Sequence, residues 1–488
     1  MIYGFSSFGY EGTLVNLEVD FRNDVPALEI FGLTESTVEE TKARIKLAIS
    51  NSGLEFPNKK VLVILSPTDI KKHGSSFDLP IALSILGNDE SKDILVMGEL
   101  DSSGNVLPVK ETFAACQSAL GKGIKYAILP EGSPVPNGIH ACFVKNLKEA
   151  LIFFNRREAL YTKEANSELS SEIRFTDEGF EEVEPLDEIN NDFSNDLKFA
   201  MTVAVAGKHN LFVCGAPENG KTKILQYMPQ LLPELSAEET QETTRIYSLA
   251  GLQKPNQNYK TRRPFRMPYL TMSIEAECGG GMNCHPGEIS LAHNGVLFID
   301  EASEFRTSVL QMLRVPVTTG SVTLSRAGRS TVYPADFQLV MTTSPCSCGS
   351  YGVKDKICLC SKLSVKTHWR KVGAPLLDRM EIRFNCHSGT QFTDQKMTLE
   401  TMRQLIATAW KAQQKRNFFN GRANGDFIGD FENAKDTDEI AHLGDTKKAM
   451  QIINLARTIA DMYGREKITH SDYLTAKKLR ANTLLDEE

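Results

Sequence analysis

Asn210-Leu211-Phe212-Val213-Cys214 runs directly into Gly215-Ala216-Pro217-Glu218-Asn219-Gly220-Lys221-Thr222. The first five residues read as a buried strand. The next eight fit G-x-x-x-x-G-K-[ST], and helical spacing continues from Lys221 to about Met228. In a strand–loop–helix setting, glycines let backbone N–H groups close on phosphate oxygens, and the helix N-terminus adds a favourable dipole. Lys221 is placed to neutralise β/γ-phosphates and Thr222 to hold Mg²⁺. Gly215, Ala216, Pro217, Glu218, Asn219, Gly220, Lys221 and Thr222 are thus the expected ATP-binding loop, and the fold class it predicts is α/β.

Downstream, Val296-Leu297-Phe298-Ile299 is a second buried strand and ends in Asp300-Glu301. Beside a phosphate loop, Asp300 joins Thr222 in holding Mg²⁺, and Glu301 deprotonates the attacking water. Phe337–Thr342 is a third apolar strand. A helix over 196–206 precedes the first strand, and buried strands alternating with helices predict parallel βαβ units. Beyond about Met397 the pattern is helical, with a Gly/Asn/Asp-rich interruption at 420–430 and helices expected near 445–463 and 470–480.

Upstream, strands are expected in 15–25, 27–31, 61–65, 94–100 and 126–129, and helices over 36–52 and 79–86. The segment 164–196 holds twelve acidic residues and one arginine, a net charge of −11, whereas the 488-residue chain carries −7. The rest of the chain is therefore at +4, so the acidic balance does not exclude a local basic surface. The expected division is 1–162, an acidic linker 163–196, a nucleotide-binding core 197–395 and a helical lid 396–488. Hydrophobic residues make up 41% and charged residues 24%, which excludes a largely disordered chain. No apolar run is long enough to span a bilayer, and the N-terminus lacks a basic region followed by an apolar stretch, so a cytoplasmic location and no membrane partner are expected.

These motifs in this order, with a helical lid behind them, resemble the AAA+ ATPases. His285-Pro286-Gly287-Glu288-Ile289-Ser290-Leu291-Ala292-His293-Asn294-Gly295, leading into Val296–Glu301, is very similar to the signature of the magnesium-chelatase-like ComM/YifB family. Arg263-Pro264-Phe265-Arg266, Pro375–Arg379 and Ala456–Asp461 look like further family blocks. Phe31-Gly32-Leu33, Asn51-Ser52-Gly53 and Phe77–Leu83 resemble the Lon-protease-like α+β domain of those proteins. The resemblance implies a ring-forming, usually hexameric ATPase that moves on DNA and promotes branch migration. It also implies that Arg379 is an arginine finger. Two positions depart from the family pattern: Ser344 stands at the sensor asparagine and Lys447 at the second-sensor arginine. A protein-remodelling ATPase akin to magnesium chelatase, and a slow nucleotide-binding regulator, are the alternative readings.

Cys346-Ser347-Cys348 and Cys358-Leu359-Cys360 bring four of the ten cysteines into fifteen residues. Four thiolates suit tetrahedral Zn²⁺, and reduced thiols on a loop are the other reading. The following stretch, 354–371, carries a net +5. Lys354 and Lys356 are candidate phosphate contacts there, with His368 and Trp369 available for base stacking, against the alternative of a solvated face. Val322-Thr323-Leu324 and Thr331-Val332-Tyr333 flank Ala327-Gly328 as a hairpin, with Arg326 and Arg329 near its tip as further DNA candidates. Gly279-Gly280-Gly281 reads as a pore loop or a turn. In the Lon-like region Ser76 aligns with the nucleophile, but Phe113 stands where the base lysine belongs and Lys110 is three residues away. Proteolysis is therefore not expected.

Overall fold

The computed structural model describes residues 1–68, 72, 74–87, 93–155, 173–176, 186 and 193–481, apart from 254–258, 327, 354–355, 425–426 and 444–445. The expected acidic linker lies mostly outside the described residues, as does Lys354.

The strand Leu211–Cys214 lies inside a five-stranded sheet. Its order is Phe265–Arg266, Val296–Ile299, Gln338–Thr343, Leu211–Cys214, Ile382–Asn385, and every pairing is parallel. The three middle strands are buried along their whole length, as strands covered on both faces must be. Ligand-binding loops of such sheets gather at the C-terminal strand ends. Here those ends carry Gly215–Gly220, Asp300-Glu301, Ser344 and Cys386-His387.

One face of the sheet packs on helix Ser194–Gly207 and on the lid helices Leu399–Arg416, Thr446–Met462 and His470–Arg480. The block Ala456–Asp461 contributes a buried polar network there. Arg457 Nε and Asn420 Nδ2 donate to Asp461, and Thr458 Oγ1 lies 2.8 Å from His209 Nε2, at the entry to the phosphate-loop strand. The interruption at 420–430 is thus built into the lid, with Asn420 fully buried.

The N-terminal half forms a mixed seven-stranded sheet, ordered Ala27–Phe31, Lys60–Ser66, Thr13–Arg22, Ile2–Ser6, Ile94–Val96, Tyr126–Pro130, His140–Val144. The expected strand over 94–100 divides at Met97-Gly98, because the Gly98 backbone leaves the ladder to bond Ser76 O and Leu79 N. The helix expected from Lys221 to Met228 stops at Leu225, and a short 3₁₀ turn follows at Met228–Leu231, where Pro229 cannot continue an α-helical ladder.

The two halves share one hydrophobic cluster. Phe5, Leu14 and Ala115 pack in it with Leu297, Met341 and Trp369. Arg245, on helix Ala237–Leu249, is buried in the seam and donates to Tyr10 O, Glu11 O and Ala114 O. No helix among the described residues is long and apolar enough to cross a membrane.

Candidate nucleotide site and four-thiol knuckle

The phosphate loop is held by close packing. A Cβ at Gly215 would stand 2.6 Å from Asn219 Nδ2 and 2.7 Å from Cys386 Sγ, so any larger residue there would have to push Asn219 and Cys386 aside. Gly220 has φ 86° and turns the chain into the helix that begins at Lys221. Asn219 Oδ1 accepts from Lys221 N at 3.2 Å.

Lys221 is almost fully buried, and its Nζ lies 2.6 Å from Glu301 Oε1. Thr222 Oγ1 donates to Asp300 Oδ1 at 2.8 Å, and Thr342 Oγ1 donates to the same oxygen at 2.6 Å. The backbone N–H of Glu301 donates to Thr342 Oγ1 at 2.8 Å. Successive residues of a regular strand point to opposite faces. Glu301 escapes that alternation because it adopts φ 51°, ψ 59°, a left-handed conformation uncommon outside glycine. Both carboxylates therefore reach the phosphate loop. Thr222 and Asp300 form an all-oxygen set suited to Mg²⁺, which usually takes one or two protein ligands and completes its shell with water and phosphate.

Motif reading missed His387. Its Nε2 accepts from the phosphate-loop N–H of Ala216 at 2.9 Å, so the ring carries its proton on Nδ1. Burial, and then the charges of Lys356 and Lys221, hold its pKa below the ordinary histidine value. A lone histidine eight residues past the Pro375–Arg379 block has no sequence signature. Only the sheet order, with Ile382–Asn385 beside Leu211–Cys214, brings it to the loop.

Ser344 follows the central strand and is buried, and its carbonyl accepts from His368 Nε2 at 2.8 Å. His368 and Trp369 are themselves buried, and the Trp369 ring packs 5.9 Å from Phe212. The expectation that these two rings stack on a nucleobase is therefore corrected: they face the core side of helix Lys362–Val372. Arg379 donates to Thr318 Oγ1 at 2.7 Å and to Pro375 O at 2.5 Å. Lys447 lies in the field of Arg379, Asp378 and Glu381, with burial the largest influence lowering its pKa.

The hairpin forms as expected, Ser321–Arg326 against Arg329–Pro334, with Arg326 opposite Arg329. Both arginines are exposed. The Arg329 guanidinium sits 3.6 Å from the Phe8 ring centroid, and Thr331 Oγ1 accepts from Tyr10 N, so the hairpin rests on the N-terminal half. Gly279–Gly280 pairs with His285–Pro286 in a short ribbon. Phe113 is fully buried and Lys110 lies against Gly251.

Cys346, Cys348, Cys358 and Cys360 bring their sulfurs within 4.8 Å of one another. The Cys346–Cys348, Cys348–Cys358 and Cys346–Cys358 separations are 3.3, 3.6 and 3.7 Å. Tetrahedral Zn–S bonds of about 2.3 Å place sulfurs about 3.8 Å apart, so the donor set and its spacing fit a metal of that kind. A backbone hydrogen bond from Ser350, followed by the neighbouring thiols, lowers the Cys348 thiol to about 6. The exposed Lys356 belongs to the same loop.

A parallel sheet whose C-terminal edge joins a G-x-x-x-x-G-K-T loop to an Asp-Glu pair defines the P-loop class, with an AAA+ core. The description "Magnesium chelatase, subunit ChlI" matches residues 188–393, and "Subunit ChlI of Mg-chelatase" matches 17–133. Competence protein ComM of Haemophilus influenzae is 31% identical over 99% of this chain and 97% of its own. The uncharacterized protein YifB of Escherichia coli is 30% identical over 98% and 96%. An uncharacterized Mycobacterium tuberculosis protein is 32% identical over 84% and 81%. The chain belongs to the ComM/YifB family of magnesium-chelatase-like proteins.

Proposed function

We propose that this protein is an ATP-hydrolysing AAA+ ring motor that acts on DNA, a translocase or helicase promoting branch migration. The observation that carries the ATPase reading is the convergence of Lys221, Thr222, Asp300 and Glu301 at one sheet edge. Lys221 exchanges its Glu301 partner for phosphate oxygens, and the freed Glu301 carboxylate takes the proton of the attacking water. Thr222 and Asp300 would hold Mg²⁺, which would supply charge neutralisation at the phosphoryl group. In this reading Ser344, just past the central strand, takes the sensor role of positioning that water. Arg379, bonded away from its own phosphate loop, serves the site of a neighbouring copy, with Lys447 beside it, which makes the ring the working unit. Zn²⁺ in the four thiolates is the structural metal of this reading.

The DNA reading is supported by the exposed Arg326 at the hairpin tip, by Arg329 and by Lys356, together with the likeness to a competence protein. Lys354 belongs with them by sequence. Steady-state ATP hydrolysis, with and without single-stranded and branched DNA, tests it against a Lys221→Ala blank. The expected result is DNA-stimulated hydrolysis that the blank lacks and that Arg326→Ala reduces. Hydrolysis indifferent to DNA contradicts the DNA reading and favours a protein-remodelling ATPase.

A further inference from the structure

The four-thiol knuckle is built against the nucleotide loop. Gly349, inside it, has φ 74° and donates its N–H to Cys346 O at 2.9 Å. A Cβ there would stand 2.3 Å from Pro217 Cδ. The knuckle backbone is therefore in van der Waals contact with the middle of the phosphate loop, at a position that admits no side chain. Cys346 is fully buried beneath the same edge, whereas Cys348 is exposed. Lys356, on the knuckle's far arm, is close enough to His387 to lower its pKa.

Both ends of the knuckle also lead to Ser344. Its first thiol is two residues after Ser344. Its last, Cys360, precedes helix Lys362–Val372, whose His368 bonds back to the Ser344 carbonyl. The excursion from 344 to 368 is thus closed at its base by one hydrogen bond and at its waist by the four sulfurs. Across that waist the side chains meet through thiols, Cys346–Cys358, Cys348–Cys358 and Ser347 Oγ–Cys360 Sγ (3.4–3.7 Å), and S–H groups are weak donors. A metal ion bonded to all four replaces weak contacts with strong ones, and metal binding of this kind orders the chain that carries the ligands.

We propose that the metal-loaded knuckle is a brace for the nucleotide site: metal in Cys346, Cys348, Cys358 and Cys360 fixes Gly349 against Pro217 and thereby sets nucleotide affinity. The inference rests on the nucleotide-binding reading above and adds regulation of that site by metal occupancy. Loss of the ion loosens the Cys346–Gly349 turn, the phosphate loop loses its backing, and nucleotide binds more weakly while the parallel sheet stays folded.

The test uses the full-length protein, a fluorescent ATP analogue, Zn²⁺ as the metal, and Lys221→Ala as the blank. The zinc-loaded protein is expected to contain one Zn²⁺ per chain. A zinc-selective chelator, with Mg²⁺ kept constant, is expected to raise the dissociation constant at least tenfold, and added Zn²⁺ to restore it. Gly349→Ala is expected to weaken binding to a similar extent while retaining one Zn²⁺ per chain and the wild-type circular dichroism. That combination separates a brace from general destabilisation. Cys358→Ser, at a half-buried position, is expected to lose the metal and bind like the chelated protein. Unchanged affinity after zinc removal, or wild-type affinity in zinc-loaded Gly349→Ala, overturns the proposal. So does a purified protein that takes up no Zn²⁺. Should wild type bind the analogue no better than Lys221→Ala, the nucleotide-site reading itself fails, a result distinct from failure of the brace.

Discussion

At the scale of single residues, the site depends on side chains that hold one another. Asp300 Oδ1 accepts from Thr222 and Thr342, and Glu301 is anchored to Thr342 through its backbone, so Thr342 sets both carboxylates. His387 does comparable work for the phosphate loop by accepting from Ala216 N. Replacing it with phenylalanine leaves that N–H without its acceptor, and one such bond is worth about 1 kcal/mol. His387→Phe is therefore expected to weaken nucleotide binding by about fivefold, read by titration with a fluorescent ATP analogue. The pH profile has a defined sign. Because burial lowers the His387 pKa below the ordinary histidine value, its contribution as a neutral acceptor is lost only at a lower pH than an exposed histidine would need to protonate. The motif residues were legible because the chemistry of phosphate binding restricts which residues serve at each spacing. His387 was not, because its role arises from strand order.

At the scale of elements, buried charges account for family blocks that have no place in the nucleotide chemistry. Arg263 bonds both oxygens of Glu239, at 2.9 and 2.6 Å, and Lys208 adds a third contact at 3.2 Å. Burial alone would raise the Glu239 carboxyl, but the charges of Arg263 and Lys208 hold it well below the usual carboxylate range. Glu239→Gln leaves two cations facing a neutral amide and is expected to cost roughly 3–5 kcal/mol, measured by denaturant unfolding. Glu277, on the short helix Ile274–Cys278, has the opposite character. It is fully buried, neither carboxylate oxygen has a hydrogen-bond partner, and burial pushes its pKa up to about 8. The folded protein then keeps a proton that the unfolded chain releases near pH 4.5, so stability falls as pH rises from about 4.5 to about 8. Glu277→Gln is expected to flatten that decline, seen as a thermal midpoint that varies less between pH 5 and pH 9 than in wild type. Strands and helices with a clean period were readable to within a few residues. The two-residue strand Phe265–Arg266 was not, because it is too short to show a period and exists only by pairing with Val296–Leu297.

At the scale of the whole molecule, the N-terminal half is docked onto the ATPase core. Phe8, Gly9 and Tyr10 reach the hairpin and the loop at Asn283, and Arg245 locks the seam from the other side. The sequence carried no signal for this docking, since it rests on one arginine and a shared apolar cluster drawn from distant segments. Arg245→Ala removes bonds to three carbonyls and is expected to destabilise the seam by roughly 2–4 kcal/mol. Limited proteolysis is then expected to cut the chain faster between the halves. The hairpin thus joins the N-terminal half to the strand Gln338–Thr343 that leads to Ser344, a physical route between the hairpin and the proposed hydrolysis site. That route has meaning only if the nucleotide edge turns over ATP. The most direct measurement is single-turnover hydrolysis by Glu301→Gln alongside binding of the same nucleotide. Nucleotide affinity is expected to be retained or increased, since Lys221 loses its competing carboxylate, while hydrolysis falls at least about 10²-fold. A Glu301→Gln protein that hydrolyses ATP at the wild-type rate would contradict that expectation.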